Sequence, residues 1–88
     1  PHDPEALTGI GWCHFDSNQW AEAEDNFARA LSQAPRFSEA HFGMAEIARV
    51  RGLASRAQHF YSTYLEIVPN GERSALVRKR MKELERAQ

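Results

Sequence analysis

Pro1, Pro35 and Pro69 stand 34 residues apart, and the chain between them nearly repeats itself. Gly9 recurs as Gly43, Gly11 as Ala45, Ala23 as Ala57, Phe27 as Tyr61 and Ala30 as Tyr64. A unit of this length cannot close a core alone. Self-similarity at such a period therefore means a stacked array, in which each unit buries its apolar face against the next.

The period of the apolar residues inside each unit is helical. Asp3-Pro4-Glu5 opens the first helix: Asp can accept from a free backbone N–H, Pro has no N–H to lose, and Glu suits the positive end of the dipole. Leu7, Ile10, Gly11 and His14 then share one face. Asp16–Asn18 reads as a turn. A second helix, about 19–32, turns Ala23, Phe27, Ala30 and Leu31 inward, and Pro35 stops it. The third, from Ser38 or a neighbour to about Arg51, places His41, Met44, Ala45 and Ala48 inside. Gly52 follows as a C-terminal residue with positive φ. The fourth, about 53–68, buries Ala57, Phe60, Tyr61, Tyr64 and Leu65 before Pro69. In the third unit Arg78, Lys79 and Lys82 fall where small or apolar residues belong. The remaining stripe, Leu76, Val77, Met81 and Leu84, predicts a single capping helix over about 72–87.

Two antiparallel helices approach closely only where one presents Gly or Ala. Gly11 and Ala45 allow Ala23 and Ala57 to come near, and Phe27 and Tyr61 fill the gap beside them. A large residue at Ala23 or Ala57 should overpack, at about 1–3 kcal/mol.

These residues resemble the tetratricopeptide repeat (TPR) family. The first repeat takes 4–37, with signature places at Leu7, Ile10, Gly11, His14, Ala23, Phe27, Ala30 and Pro35. The second takes 38–71, with His41, Met44, Ala45, Ala48, Gly52, Ala57, Tyr61, Tyr64 and Pro69. The pattern departs from the family at His14 and Ala48 (usually aromatic), at His41 (usually Trp or Leu) and at Tyr64 (commonly Ala). The resemblance implies an all-α, TPR-like α-solenoid within one domain, 1–88. Two antiparallel hairpins and a fifth, capping helix would wind as a right-handed superhelix. Pro1 lies in phase with the two closing prolines, so further repeats or another domain are expected upstream, facing Ala6, Ile10 and Cys13.

The resemblance also implies a concave groove lined by the first helix of each pair. The matching places are Glu5, Thr8, Trp12, Phe15 and Asp16 on one unit. On the next they are Glu39, Phe42, Glu46, Arg49 and Val50. Trp12, Phe15 and Phe42 lie off the packing stripe and form an apolar patch rimmed by charge, a signature of partner binding. The Lys/Asn carboxylate clamp of family members that capture chaperone C-termini is absent at Thr8 and Trp12. The acids Glu5, Asp16, Glu39 and Glu46 point to a ligand with apolar residues and some positive charge.

Other chemistries find little support. His2, His14, His41, His59 and Cys13 show no metal-ligand spacing, and the two core-facing histidines read as packing residues. There is no phosphate loop and no nucleophile–base pair, so neither catalysis nor a cofactor or small-molecule substrate is expected. The basic run Arg78–Lys82 reads as a solvated helix face rather than a nucleic-acid or lipid contact, since no aromatic interleaves it. No apolar run approaches the ~20 residues of a membrane span. The lone Cys13 fits a reducing compartment, and a cytoplasmic location is favoured.

Charge is uneven: residues 1–34 carry −5, residues 35–71 carry +1 and residues 72–88 carry +3, within a total of −1. The expected function is non-catalytic scaffolding, with a partner peptide or helix held in the groove. The alternatives are head-to-tail self-association of the two charged ends and service as the regulatory appendage of a larger enzyme.

Overall fold

The computed structural model describes residues 3–87. Five helices follow one another: α1 (Pro4–Asp16), α2 (Trp20–Gln33), α3 (Ser38–Val50), α4 (Ala54–Ile67) and α5 (Ser74–Ala87). No strand occurs among the described residues. The bounds of α3 and α4 are those of α1 and α2 moved by 34, so the sequence period is also the structural one.

Local chemistry sets the helix ends. Asp3 Oδ1 accepts from Ala6 N at 2.7 Å and Pro4 takes the first helical place, the cap foreseen from Asp3-Pro4-Glu5. Each hairpin turns through the same device. Gln19 N donates to His14 O at 2.9 Å, and Leu53 N to Ala48 O at 2.8 Å. The residue before each has positive φ, Asn18 at 59° and Gly52 at 77°. Asn tolerates this region better than other non-glycine residues, so Asn18 does in the first turn what Gly52 does in the second. The three-residue turns force α1 against α2 and α3 against α4 as antiparallel pairs.

Two apolar clusters hold the stack. Leu7, Ala23, Phe27, Ala30, Ala40, Met44 and Ile47 form the first, so α3 packs one face on the first hairpin. Phe42, Ala45, Ala48, Ala57, Tyr61, Tyr64 and Val77 form the second, which joins α3 to α4 and α5. Clamped between them, α3 buries every residue from Phe42 to Ala48. The Phe27 ring explains the close approach. A Cβ added at Gly11 would come within 2.9 Å of it, and one at Gly43 within 2.5 Å. Gly43, rather than Gly11 alone, is where the ring of one repeat meets the backbone of the next.

Three sequence expectations need correction. Ile10 is 40% exposed: α2 meets α1 through Leu7 and Gly11, and Ile10 projects to the side. Met44, one step later, is buried as expected, and it packs against the first hairpin. The capping helix starts at Ser74, not at 72, because Ser74 Oγ accepts from Gly71 N at 2.9 Å and donates to Val68 O at 2.6 Å, holding the preceding residues in a turn. Its buried stripe is Ser74 and Val77 with Met81 and Leu84 half-buried, while Leu76 is 39% exposed.

Candidate partner-binding face

The first helices α1, α3 and α5 lie side by side. The Trp12 and Phe42 ring centroids are 6.0 Å apart and Arg80 of α5 reaches Glu46 of α3, while Arg73, just ahead of α5, sets its guanidinium carbon 4.5 Å from the centre of the Phe42 ring. Steps of 34 sort the face they share into rows. Glu5, Glu39 and Arg73 make one, and Thr8, Phe42 and Leu76 the next. Trp12, Glu46 and Arg80 follow, then Phe15, Arg49 and Glu83.

The aromatic patch differs from the sequence expectation. Trp12 and Phe15 are half-buried and stack edge-on at 5.3 Å. Trp12 also meets the Phe27 ring edge-on at 5.0 Å, and Phe15 meets Trp20 at 5.2 Å. Phe42 is buried, 7% exposed, against Tyr61 and Tyr64, and Arg73 covers its ring. Phe42 is therefore a core residue with a cation on its face, not an open contact. Thr8 is fully buried with its hydroxyl unpaired, and is no contact either. Glu5 and Asp16 stand exposed at the α1 edge, and Glu39 and Arg49 are partly exposed.

Glu46 is the largest departure. Read as a groove acid, it is 6% exposed and sits inside a cluster of its own. Arg49 grips it through Nε at 3.3 Å and Nη2 at 3.1 Å. The Tyr61 hydroxyl donates to Oε1. Arg80 Nε lies 3.1 Å from the same oxygen with its N–H aimed elsewhere, a charge contact rather than a hydrogen bond. A buried carboxylate persists only when paired and hydrogen-bonded, and here one acid gathers partners from α3, α4 and α5. Burial, then the Glu46 hydrogen bond and charge, push the Tyr61 hydroxyl above its ordinary pKa. For Arg49, burial opposes the charge, but the Glu46 hydrogen bonds and field outweigh it and raise its pKa.

Arg49 and Arg80 are engaged with Glu46. The charges left on the face are the acids Glu5 and Asp16 on α1, Glu39 on α3 and Glu83 on α5, with Arg73 just ahead of α5 as a cation beside them. Sequence reasoning missed Arg73, Leu76 and Arg80, because the third unit breaks the family pattern on its other side. The signal was there: 34 added to Glu39, Phe42 and Glu46 gives those three residues.

A family model described as Tetratricopeptide repeat matches residues 14–80, well over half of the chain. The chain belongs to the tetratricopeptide repeat family. No curated protein sequence matches it. Membership supports a general protein–protein interaction module for this TPR chain, a class whose repeats are typically non-catalytic. The remaining polar features are structural in kind. His41 Nε2 donates to Pro35 O at 2.8 Å, and His14 Nδ1 lies 2.8 Å from Gln19 Oε1. No three His, Cys, Asp or Glu residues come together to hold a metal ion among the described residues. No helix there is long and apolar enough to cross a membrane.

Proposed function

We propose that this TPR chain holds a segment of a partner protein along the face shared by α1, α3 and α5. The observation that carries the reading is Leu76. It is a large apolar residue left 39% exposed on the row of Thr8 and Phe42, whose other members are buried. Beside it stand the partly exposed Arg73 and Arg80, and across the face the half-buried Trp12 and Phe15. An apolar residue with Glu5 and Glu39 on one side and Arg73 beside it suits a segment with one or two apolar side chains. Its cationic end would lie toward Glu5 and Glu39, and its acidic end toward Arg73. The expected ligand, with apolar residues and some positive charge, loses Glu46 as one of its acidic contacts.

The test is selection from a random peptide library on the wild type, then titration of the selected peptide by NMR. Leu76→Asp and Arg73→Glu should weaken binding about tenfold or more, while Lys79→Glu, on another side of α5, should leave it unchanged. Equal binding by all three variants sinks the reading.

A further inference from the structure

The 34-residue step carries one surface through without a partner. On α3, Ala40, Met44 and Ile47 are 0, 6 and 1% exposed against the first hairpin. One step back, on α1, stand Ala6, Ile10 and Cys13, and all three are exposed. The apolar stripe is the same, but among the described residues nothing packs on it.

Glycine gives a second, independent sign. Gly43 is needed because the Phe27 ring of the preceding hairpin rests on its backbone, 2.5 Å from where a Cβ would stand. Gly9 is its counterpart one step back, and a Cβ there would meet nothing within 4 Å. Glycine inside a helix weakens it, and nothing among the described residues requires this one.

Charge gives a third. Arg56 on α4 pairs with Glu24 on α2 at 3.1 Å. One step back from Arg56 is Glu22, of opposite sign and exposed.

We propose that this face of α1 seats the second helix of another antiparallel hairpin of the same repeat, set one 34-residue step ahead of α1. That helix carries an aromatic ring at the place of Phe27, resting on Gly9. At the place of Glu24 it carries a Lys or Arg, facing Glu22. The fit makes no new demand on space, since Ala6, Ile10 and Cys13 are no larger than Ala40, Met44 and Ile47. A second folded copy has no free second helix to offer. Its α2 face already holds α3, and its α4 face is closed by α5, where Gln58 Nε2 donates to Met81 O at 2.9 Å. On α4 the place of Glu24 is moreover the uncharged Gln58. The inference rests on the repeat geometry and is independent of the partner-binding face.

The experiment joins an added copy of residues 1–34 ahead of Pro1, keeping the step. The added copy alone carries Cys13→Ser and Glu24→Lys, so the native Cys13 is the only thiol. Its modification rate by a small thiol reagent is compared with that of the 88-residue chain, with circular dichroism to verify that the added helices form. Cys13 should become about tenfold or more slower to react, and the melting temperature should rise. Restoring Glu24 in the added copy should lose part of the protection. Gly9→Ala should raise the melting temperature of the 88-residue chain, yet remove most of the protection in the fusion. The proposal is overturned if Cys13 stays equally reactive in a fusion whose added helices have formed. Protection that survives Gly9→Ala overturns it too. So does protection of Cys13 in the 88-residue chain that grows with concentration, for then a second copy is the occupant.

Discussion

Arg80 stands one 34-residue step beyond Glu46, and its Nε lies 3.1 Å from the Glu46 carboxylate. The third unit thus keeps the repeat on this face although it abandons it on the side where a sixth helix would lie. Two consequences differ in size. Arg80→Ala leaves Glu46 with Arg49 and Tyr61, so it should cost about 1 kcal/mol and speed amide exchange mainly in α5. Glu46→Ala strands the buried Tyr61 hydroxyl and frees two guanidinium groups that can still reach water. It should cost about 2–3 kcal/mol. Urea unfolding measures both. If Glu46→Ala costs no more than Arg80→Ala, the acid is not the hub the geometry describes.

The Phe27 ring meets the α3 backbone at Gly43, and a Cβ there would stand 2.5 Å from the ring. Phe27 is fully buried and has nowhere to go. Gly43→Ala should therefore destabilise by about 1–3 kcal/mol, against the gain that Ala usually brings to a helix interior. Phe27→Leu in the same chain should recover part of that loss, a coupling that a double-mutant cycle reads. Simple additivity would mean that the two positions do not press on one another.

Tyr61 makes stability pH-dependent on the alkaline side. Its folded pKa is raised above the ordinary 10.0 by burial, then by Glu46. A raised pKa means that the folded state holds its proton more tightly than the unfolded one. The contribution is complete below the unfolded value and is lost as pH climbs from about 10 toward the folded value. Stability should fall above pH ~10, and Tyr61→Phe should flatten that fall while lowering stability at neutral pH. Denaturant midpoints measured at several pH values check it. An alkaline limb unchanged by Tyr61→Phe rules the mechanism out.

The helices were legible because their signals are local. Asp3-Pro4-Glu5, Gly52 and the closing prolines each act on their own few residues, and the 34-residue step placed the helices with respect to one another. The site was less legible because burial on a first helix depends on what lies beside it two helices later. Phe42 looked like an open aromatic until Arg73 and Tyr64 closed over it. Glu46 looked like a solvated acid until Tyr61 and Arg80 converged on it. Leu76 erred the other way: an apolar stripe on α5 drew it inward, but Ser74 and Val77 fill that face and leave Leu76 outside. The family pattern describes hairpins, and among the described residues α5 packs on α4 without a helix after it, so its contribution was the part most easily overlooked.

Trp12 and Leu76 separate folding from binding. Trp12 packs on Phe27 and Phe42, so Trp12→Ala removes part of the support between the two repeats. It should cost about 2–3 kcal/mol, less than a fully buried aromatic because the ring is only half-buried. Any loss of partner binding in that variant would then mix unfolding with lost contact. Leu76→Asp removes a side chain that packs in neither apolar cluster, and should change stability by no more than about 0.5 kcal/mol. It nevertheless places a charge on the α5 side of the proposed face. Thermal melts of the two variants beside their peptide affinities give the decisive comparison. Weak binding with an unchanged melt in Leu76→Asp locates the partner on the α1–α3–α5 face. A Leu76→Asp chain that melts normally and binds normally moves the partner elsewhere, whatever Trp12→Ala does.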